Sequence, residues 1–421
     1  MTAAIGLALW SAGRVFGTTA LDQIGFALLV LVVIAVAIVN SRRHDLSVVR
    51  TIFPERARGG QVVDVKLTFR NGGRGSAPLM LIDDRVPLEL SGHARFALNG
   101  IEAGGEREAS YQIRPPRRGR YSIGPLQIGF ADPFGLAQTR SRAANPTSFL
   151  VYPRIEQLAL PRDLGQRRSM SVSALRQLSG ARGEDFYTMR EYAEGDDLRK
   201  IHWPSTAKLN KPMIRQEETP WHTRATVVLD DVRSPNDGVG DSSSFERCIE
   251  AAASLIDMYH RSGYIYRIAG ALHPGLPAAR GSDHYHRCLD LLAVLEGSSG
   301  GDDALLVRLA ELEAATGTEG TLVVVSGNVS AQAAVALSRC QRRYRQVVAV
   351  LFPAHRFGGD STKSRWEGEQ KTHETVTMLV RTGVITVVLG QDESLASGWA
   401  TLTTRKGAGG EPRWGLKPEP V

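Results

Sequence analysis

RATVVLDD, Arg224 to Asp231, is the stretch on which the fold turns: Ala225 to Leu229 are uncharged, and two aspartates close the run. A run without polar alternation reads as a strand covered on both faces, as in parallel sheets. Downstream the pattern repeats with helices between strands. SSFERCIEAAASLIDMYHRSG (243–263) has amphipathic helical spacing, YIYRIAGA (264–271) is a second strand, and HYHRCLDLLAVLEG (284–297) and DALLVRLAELEAATG (303–317) are helices. TLVVVSGN (321–328), VVAVLF (347–352) and VITVVL (384–389) are strands, separated by the helical stretches 331–344 and 371–383. This alternation predicts a Rossmann-like α/β domain over 221–404, with a mostly parallel sheet covered on both faces. The tail 405–421, with GAGGEP and LKPEP, predicts disorder.

Upstream the texture changes. Residues 45–155 hold short, partly alternating runs such as QVVDVKLTFRNGG, EASYQIRP, RYSIGPLQIGF and SFLVYPR, punctuated by Asn-Gly, Gly-Gly and Pro. They predict an antiparallel β-sandwich, with QTRSRAANPTS (138–148) as a loop. Residues 156–220 form a polar connector. The chain is therefore multidomain, in keeping with its 421 residues.

The first 44 residues predict a membrane anchor. No charge occurs from Gln23 to Ser41, and Ile24 to Val39 are unbroken apolar sequence. Those residues reach roughly 24 Å as a helix, and flanking Gly, Asn and Ser extend the span to 23–41. A cleaved signal peptide is the competing reading, with Ala35-Val36-Ala37 resembling a cleavage site, but the stretch lacks a basic leader. Residues 3–20 suit the first arm of a hairpin, with Arg14 snorkelling or held in a protein contact. Arg42, Arg43 and His44 follow the span directly, so the positive-inside tendency puts the soluble bulk in the cytoplasm, at a plasma or inner membrane.

The net charge of +7 is concentrated: between Ser41 and Leu160 there are eighteen Lys plus Arg against eleven Asp plus Glu. An anionic inner leaflet is one partner for that surplus; solvation of strand faces is the other reading. No reader motif points to nucleic acid, and the Gly-rich stretches lack the GKS or GKT of a phosphate cradle. Three cysteines without CxxC spacing fit a reducing compartment and no disulfide framework. His284, His286 and Cys288 suggest metal at first sight, but on a helix positions i and i+2 point apart, so the histidines read as surface or helix-start residues and Cys288 as a buried thiol.

The densest chemistry is REYAEGDDLRKIHWPSTAK, Arg190 to Lys208. From Ala181 to Glu218 eight acids face seven bases, which favours an internal ion-pair network over a phosphate site. Asp196 and Asp197 after Gly195 read as a turn leading into a helix start. Arg190 and Arg199 would fork onto carboxylates such as Glu191 or Asp197, and Tyr192, Ile201 and Trp203 would insert into the adjoining core. A catalytic reading would make Asp196 or Asp197 a base with His202 as its proton partner, yet no nucleophile accompanies them.

Three stretches together carry a resemblance: RRGRYSIGPLQIGFADPFGL (117–136), VYPR (151–154) and GEDFYTMREYAEGDDLRKIHWPSTAKLNKPMIRQEE (183–218). They resemble the bacterial domain of unknown function 58 family, membrane proteins found beside MoxR-type AAA+ ATPases. Gly183, Phe186, Arg190, Glu191, Tyr192, Gly195, Asp196, Asp197, Arg199, Ile201, Trp203, Thr206 and Ala207 match the family hallmark; Met189 and His202 depart from it. The resemblance implies a von Willebrand factor A-like domain after the hallmark, and such a domain binds Mg²⁺ through Asp-x-Ser-x-Ser. Here Asp230 is followed by Val232 in the first serine position, then Ser234, while Ser326-Gly327-Asn328 lacks the usual acid. Valine donates no oxygen, so the site is degenerate and no cofactor is expected, with Asp231 and Asp237 the residues that could compensate. The expectation is a membrane-anchored scaffold without catalysis, partnered by a MoxR-type ATPase and the lipid bilayer; the alternative is a metal-dependent or Cys/His hydrolase at the cell envelope.

Overall fold

The computed structural model describes residues 2–41, 45–90, 94–131, 136, 138–161, 187–191, 201–217, 224–232, 240, 243–298, 301, 303–315, 319–357 and 362–404. The disorder expected of 405–421 concerns residues outside that set. The protein is multidomain, with two compact units, Met1–Pro153 and Arg154–Val421.

The first unit opens with α1 (Thr2–Phe16) and α2 (Thr19–Ser41), joined through Gly17, whose φ of 68° suits glycine, and Thr18. The two helices form an antiparallel hairpin because small residues let their backbones meet. A Cβ on Gly25 would lie 2.3 Å from the Trp10 amide nitrogen, and one on Gly13 2.4 Å from that of Asp22. Arg14 and Asp22 pair across the turn at 3.2 Å, and the Arg14 guanidinium sits over Trp10. Of the two, α2 is long and apolar enough to cross a membrane.

The β part follows as β1 (Leu46–Phe53), β2 (Arg56–Arg58), β3 (Val63–Asn71), β4 (Met80–Asp84) and β5 (Arg95–Leu98). It continues with β6 (Glu106–Ile113), β7 (Gly119–Ile123), β8 (Leu126–Ala131), β9 (Gln138–Ala144) and β10 (Thr147–Tyr152). Three sheets, ordered β1-β3-β6, β2-β10-β7 and β5-β4-β8-β9, enclose one core that includes Val65, Leu67, Phe69, Met80, Ile82 and Ile128. Pairing is antiparallel apart from β10 with β2, which run parallel, so the sandwich is not purely antiparallel as its alternation predicts. The expected loop at 138–148 is also corrected: its first half is β9, paired with β8. Thr139 to Arg142 are all exposed, which is why no apolar alternation marked them as a strand.

In the second unit the antiparallel ribbon of β11 (Tyr187–Glu191) and β12 (Met213–Glu217) is joined by a segment holding α3 (Trp203–Leu209). A six-stranded sheet follows, built from β13 (Arg224–Leu229), β14 (Ile265–Gly270), β15 (Leu276–Ala279), β16 (Glu319–Ser326), β17 (Tyr344–Leu351) and β18 (Ile385–Val388). Its order is β15-β14-β13-β16-β17-β18, all parallel except the short edge strand β15, which runs antiparallel to β14. Between the strands lie α4 (Ser244–Arg261), α5 (Ser282–Val294), α6 (Ala304–Ala314), α7 (Ala331–Arg339) and α8 (Thr362–Arg381), with α9 (Leu395–Thr404) at the end. α6, α7 and α8 cover one face through Leu309, Leu337 and Leu379, and α4 lies across β13, β14 and β16. Ala225 to Leu229 are buried throughout, as a strand covered on both faces requires.

A strap of chain, Arg154 to Pro161, belongs to this unit. Leu158 is buried, the Trp399 indole N–H donates to the Ala159 carbonyl at 3.0 Å, and the Glu156 amide donates to Ser254 Oγ at 2.9 Å. The Glu156 carboxylate caps α9, accepting from Ser394 Oγ at 2.6 Å and the Ala396 amide at 2.9 Å, with Arg247 beside it at 3.4 Å.

Candidate functional site

Chain order fixes where this sheet can bind something. β13 lies at its centre; the chain first builds outward through β14 to β15, then returns to β13's other side and builds β16, β17 and β18. The connections reverse direction between β13 and β16, so the loops leaving their carboxyl ends diverge and open a crevice. A cleft of ≈ 460 Å³ lies there, lined by Asp230 and Val232 after β13, Gly327 to Ala331 after β16, Leu351 at the end of β17 and Pro353 just beyond it, the start of α4, and Lys371, Thr372, Glu374 and Thr375 of α8. Asn328, Ser330, Ala331, Lys371 and Glu374 are exposed on its rim, while Ser244, Phe245 and Cys248 are buried in its wall.

The candidate metal residues meet at this point. Ser326 Oγ donates to Asp230 Oδ2 at 2.6 Å and also contacts the backbone of Asn328, and Asp230 Oδ1 accepts from the Val232 amide at 3.3 Å. Ser234 and Asp237 lie outside the described residues. Asp231 does not compensate: it is buried, with both oxygens accepting from backbone amides, Leu272 at 2.7 Å and His273 at 2.9 Å. A Cβ at Gly270 would lie 2.4 Å from that carboxylate, so glycine makes room for it. Asp230 and Ser326 are bonded to each other here, and Val232 offers no side-chain oxygen. Asp230 and Ser326 by themselves fall short of the oxygen set that Mg²⁺ takes.

The hallmark is described in part. Arg190 and Glu191 lie on β11, opposite Ile214 and Met213 of β12. Tyr192, Gly195, Asp196, Asp197 and Arg199, with the helix start expected there, lie outside the described residues. Ile201 is half-buried, and the helix that is described begins at Trp203. His202 caps it, its Nδ1 accepting from the Ser205 amide at 3.3 Å. Thr206 Oγ1 donates to the His202 carbonyl and accepts from the Met213 amide at 3.0 Å, fastening α3 to β12. These bonds fix the helix with Ala207 exposed and the Trp203 indole turned outward, 70% exposed, against the expectation that it inserts into a core. His202 therefore serves as a cap.

His284 and the three cysteines are buried, and His286 is half-buried. His284 does start α5, but it is buried and not on the surface, its Nε2 bonded to the Tyr266 carbonyl at 2.9 Å and 3.6 Å from Cys288 Sγ. Burial lowers the His284 pKa and pushes the thiols up, Cys288 to about 12 and Cys340 to about 11. Thiols held that high are poor nucleophiles.

The second unit is thus a doubly wound α/β domain with a polar-rimmed cleft at its switch point, preceded by a ribbon and capped helix. A family model described as protein of unknown function DUF58 matches residues 188–356, from the ribbon through β17, and supports the resemblance carried by the hallmark. No curated protein matches. Among solved structures, the CARDB domain of a Pyrococcus furiosus protein in complex with di-metal ions is 14% identical, covers 26% of this chain and 91% of that one, and has a TM-score of 0.20. A Pseudomonas fluorescens alkylpurine DNA glycosylase bound to DNA is 11% identical over 31% of this chain and 38% of that one, with a TM-score of 0.18. The human complex of zinc 2-glycoprotein and prolactin inducible protein gives 10% identity, 27% and 97% coverage, and 0.18. Scores this low define no shared fold.

Proposed function

We propose that this protein is a membrane-anchored, cytosol-facing scaffold that docks a MoxR-type AAA+ ATPase during assembly or remodelling of a larger complex. The observation that carries the proposal is the switch-point cleft. Its rim presents exposed groups of both signs, Lys371 and Glu374, beside the amide and hydroxyl of Asn328 and Ser330. Pockets for small molecules are mostly apolar with a few polar groups; an open rim of mixed charge suits a protein surface. The buried, high-pKa thiols and the capping role of His202 weigh against a Cys/His hydrolase.

Anchoring rests on α2, whose 23 residues reach about 34 Å, enough for the hydrocarbon core. The sequence Arg42-Arg43 directly after it supports a cytosolic placement of the soluble units. The choice of ATPase rests on the family resemblance alone. Capture of the ATPase encoded nearest this gene by the full chain tests the scaffold reading. Mg²⁺ titration of the same chain tests its rival: a flat titration is expected, and tight binding abolished by Asp230→Ala would favour the metal-dependent hydrolase and overturn the scaffold reading.

A further inference from the structure

Strand β9, which carries no expected role, packs beside α2 within the first unit. It is an edge strand, and its residues Thr139 to Arg142 are exposed. Arg140 stands opposite Gly129 and Arg142 opposite Gln127, so neither has an acid across the strand. Three other cations of the β part have acid partners: Arg50 with Asp84, Lys66 with Glu108, Arg95 with Asp83. The Arg140 and Arg142 side chains have no ion-pair or hydrogen-bond partner among the described residues.

If α2 spans the bilayer, as the proposed function holds and as this inference requires, the position of β9 is constrained from two sides. It touches the spanning helix, so it lies close to the membrane. It also exposes two guanidiniums and an unpaired backbone edge, which the hydrocarbon region excludes. The layer that satisfies both is that of the headgroups, where phosphate oxygens accept from guanidinium forks. We infer that Arg140 and Arg142 form a binding surface for anionic lipid headgroups at the foot of α2. The bland alternative is that two arginines merely guard an edge strand against pairing with another chain.

The test uses the full chain expressed in membranes of phosphatidylcholine with about 30% phosphatidylglycerol, a range in which anionic lipid attracts basic segments. The readout is the ratio of the two lipids that co-purify with the protein after mild solubilisation, measured by mass spectrometry. Wild type is expected to enrich phosphatidylglycerol, and Arg140→Glu/Arg142→Glu to lose the enrichment and return the ratio of the surrounding membrane. Arg58→Glu/Arg120→Glu, two exposed arginines on β2 and β7, is expected to keep it. Unchanged enrichment in the β9 variant, or equal loss in the control, would overturn the headgroup site. Alkaline carbonate extraction separates the two claims: if wild type leaves the membrane pellet, the anchor reading fails and takes this inference with it. If it stays and the ratios do not move, only the headgroup site fails.

Discussion

Replacing Arg50 by methionine probes how the sandwich is held together. The Arg50 and Asp84 side chains are 1% and 0% exposed. Arg50 Nε donates to Asp84 Oδ2 at 3.0 Å and Nη2 to Oδ1 at 2.5 Å, while Nη1 reaches the Asn145 carbonyl at 2.7 Å and Thr147 Oγ1 at 2.9 Å. Tyr111 donates its hydroxyl to Asp84 Oδ2 at 2.7 Å, and burial together with the adjacent carboxylate pushes that phenol far above its usual range, so it remains a donor. The cluster ties β1 and β6 of one sheet to β4 of another and β10 of the third. Methionine replaces the stem but leaves a buried carboxylate with only the Tyr111 bond, a loss of about 3–5 kcal/mol. At about 1.4 kcal/mol per tenfold, the slowest amides of β1, β3 and β4 should exchange roughly 100- to 4,000-fold faster. Hydrogen exchange with mass spectrometry on the full chain in detergent reads this directly. Arg50→Met/Asp84→Leu removes both charges and should recover most of the protection, to within about 1–2 kcal/mol. Equal exchange in the single and double variants would refute the reasoning.

Three further outcomes are expected. Burial alone would raise the Glu156 pKa, but hydrogen bonds from Ser394, Ala396 and Leu395 and the charge of Arg247 outweigh it and hold the carboxyl below its usual range. Its stabilising contribution is therefore present above the unfolded pKa, about 4.3, and lost as pH falls through the folded value. Glu156→Gln should lower the melting temperature at pH 7 and flatten its decline in acid; an unchanged acid limb would contradict this. Native Cys288 and Cys340 should react with a thiol probe at pH 7.5 at least about 100-fold more slowly than a free thiol of pKa about 8.5, and prompt labelling of either would show that the interior is open. Gly25→Val should drive a side chain into the Trp10 backbone, cost about 1–3 kcal/mol and lengthen the distance between spin labels on the two helices.

The α/β architecture was legible because its strands are apolar on both faces: ATVVL and LVVVS announce themselves by composition, and the helices between them by period. What escaped was structure whose residues look polar for local reasons. β9 is exposed along half its length, so QTRSRAA resembles a loop; α3 is seven residues long and is signalled by Pro204 in its first turn and by its cap. The strap from Arg154 to Pro161 holds through single contacts, Glu156 capping α9 and Trp399 reaching Ala159, which no period reveals. The site was half legible. Asp230, Val232 and Ser326 were singled out through the family resemblance, and the structure brings the three together. Lys371 and Glu374 were hidden in an ordinary helical run, KTHETVT, because only the sheet order brings α8 to the cleft.

Affinity of the full chain for the neighbouring MoxR-type ATPase, compared with that of Ala331→Trp, bears most directly on the scaffold proposal. Ala331 is exposed at the mouth of the cleft, so an indole there fills the opening without entering the core. The account predicts measurable binding by wild type and a loss of at least about tenfold in the variant, the scale of a blocked central contact. No binding by wild type, or binding that the tryptophan leaves unchanged, would contradict it.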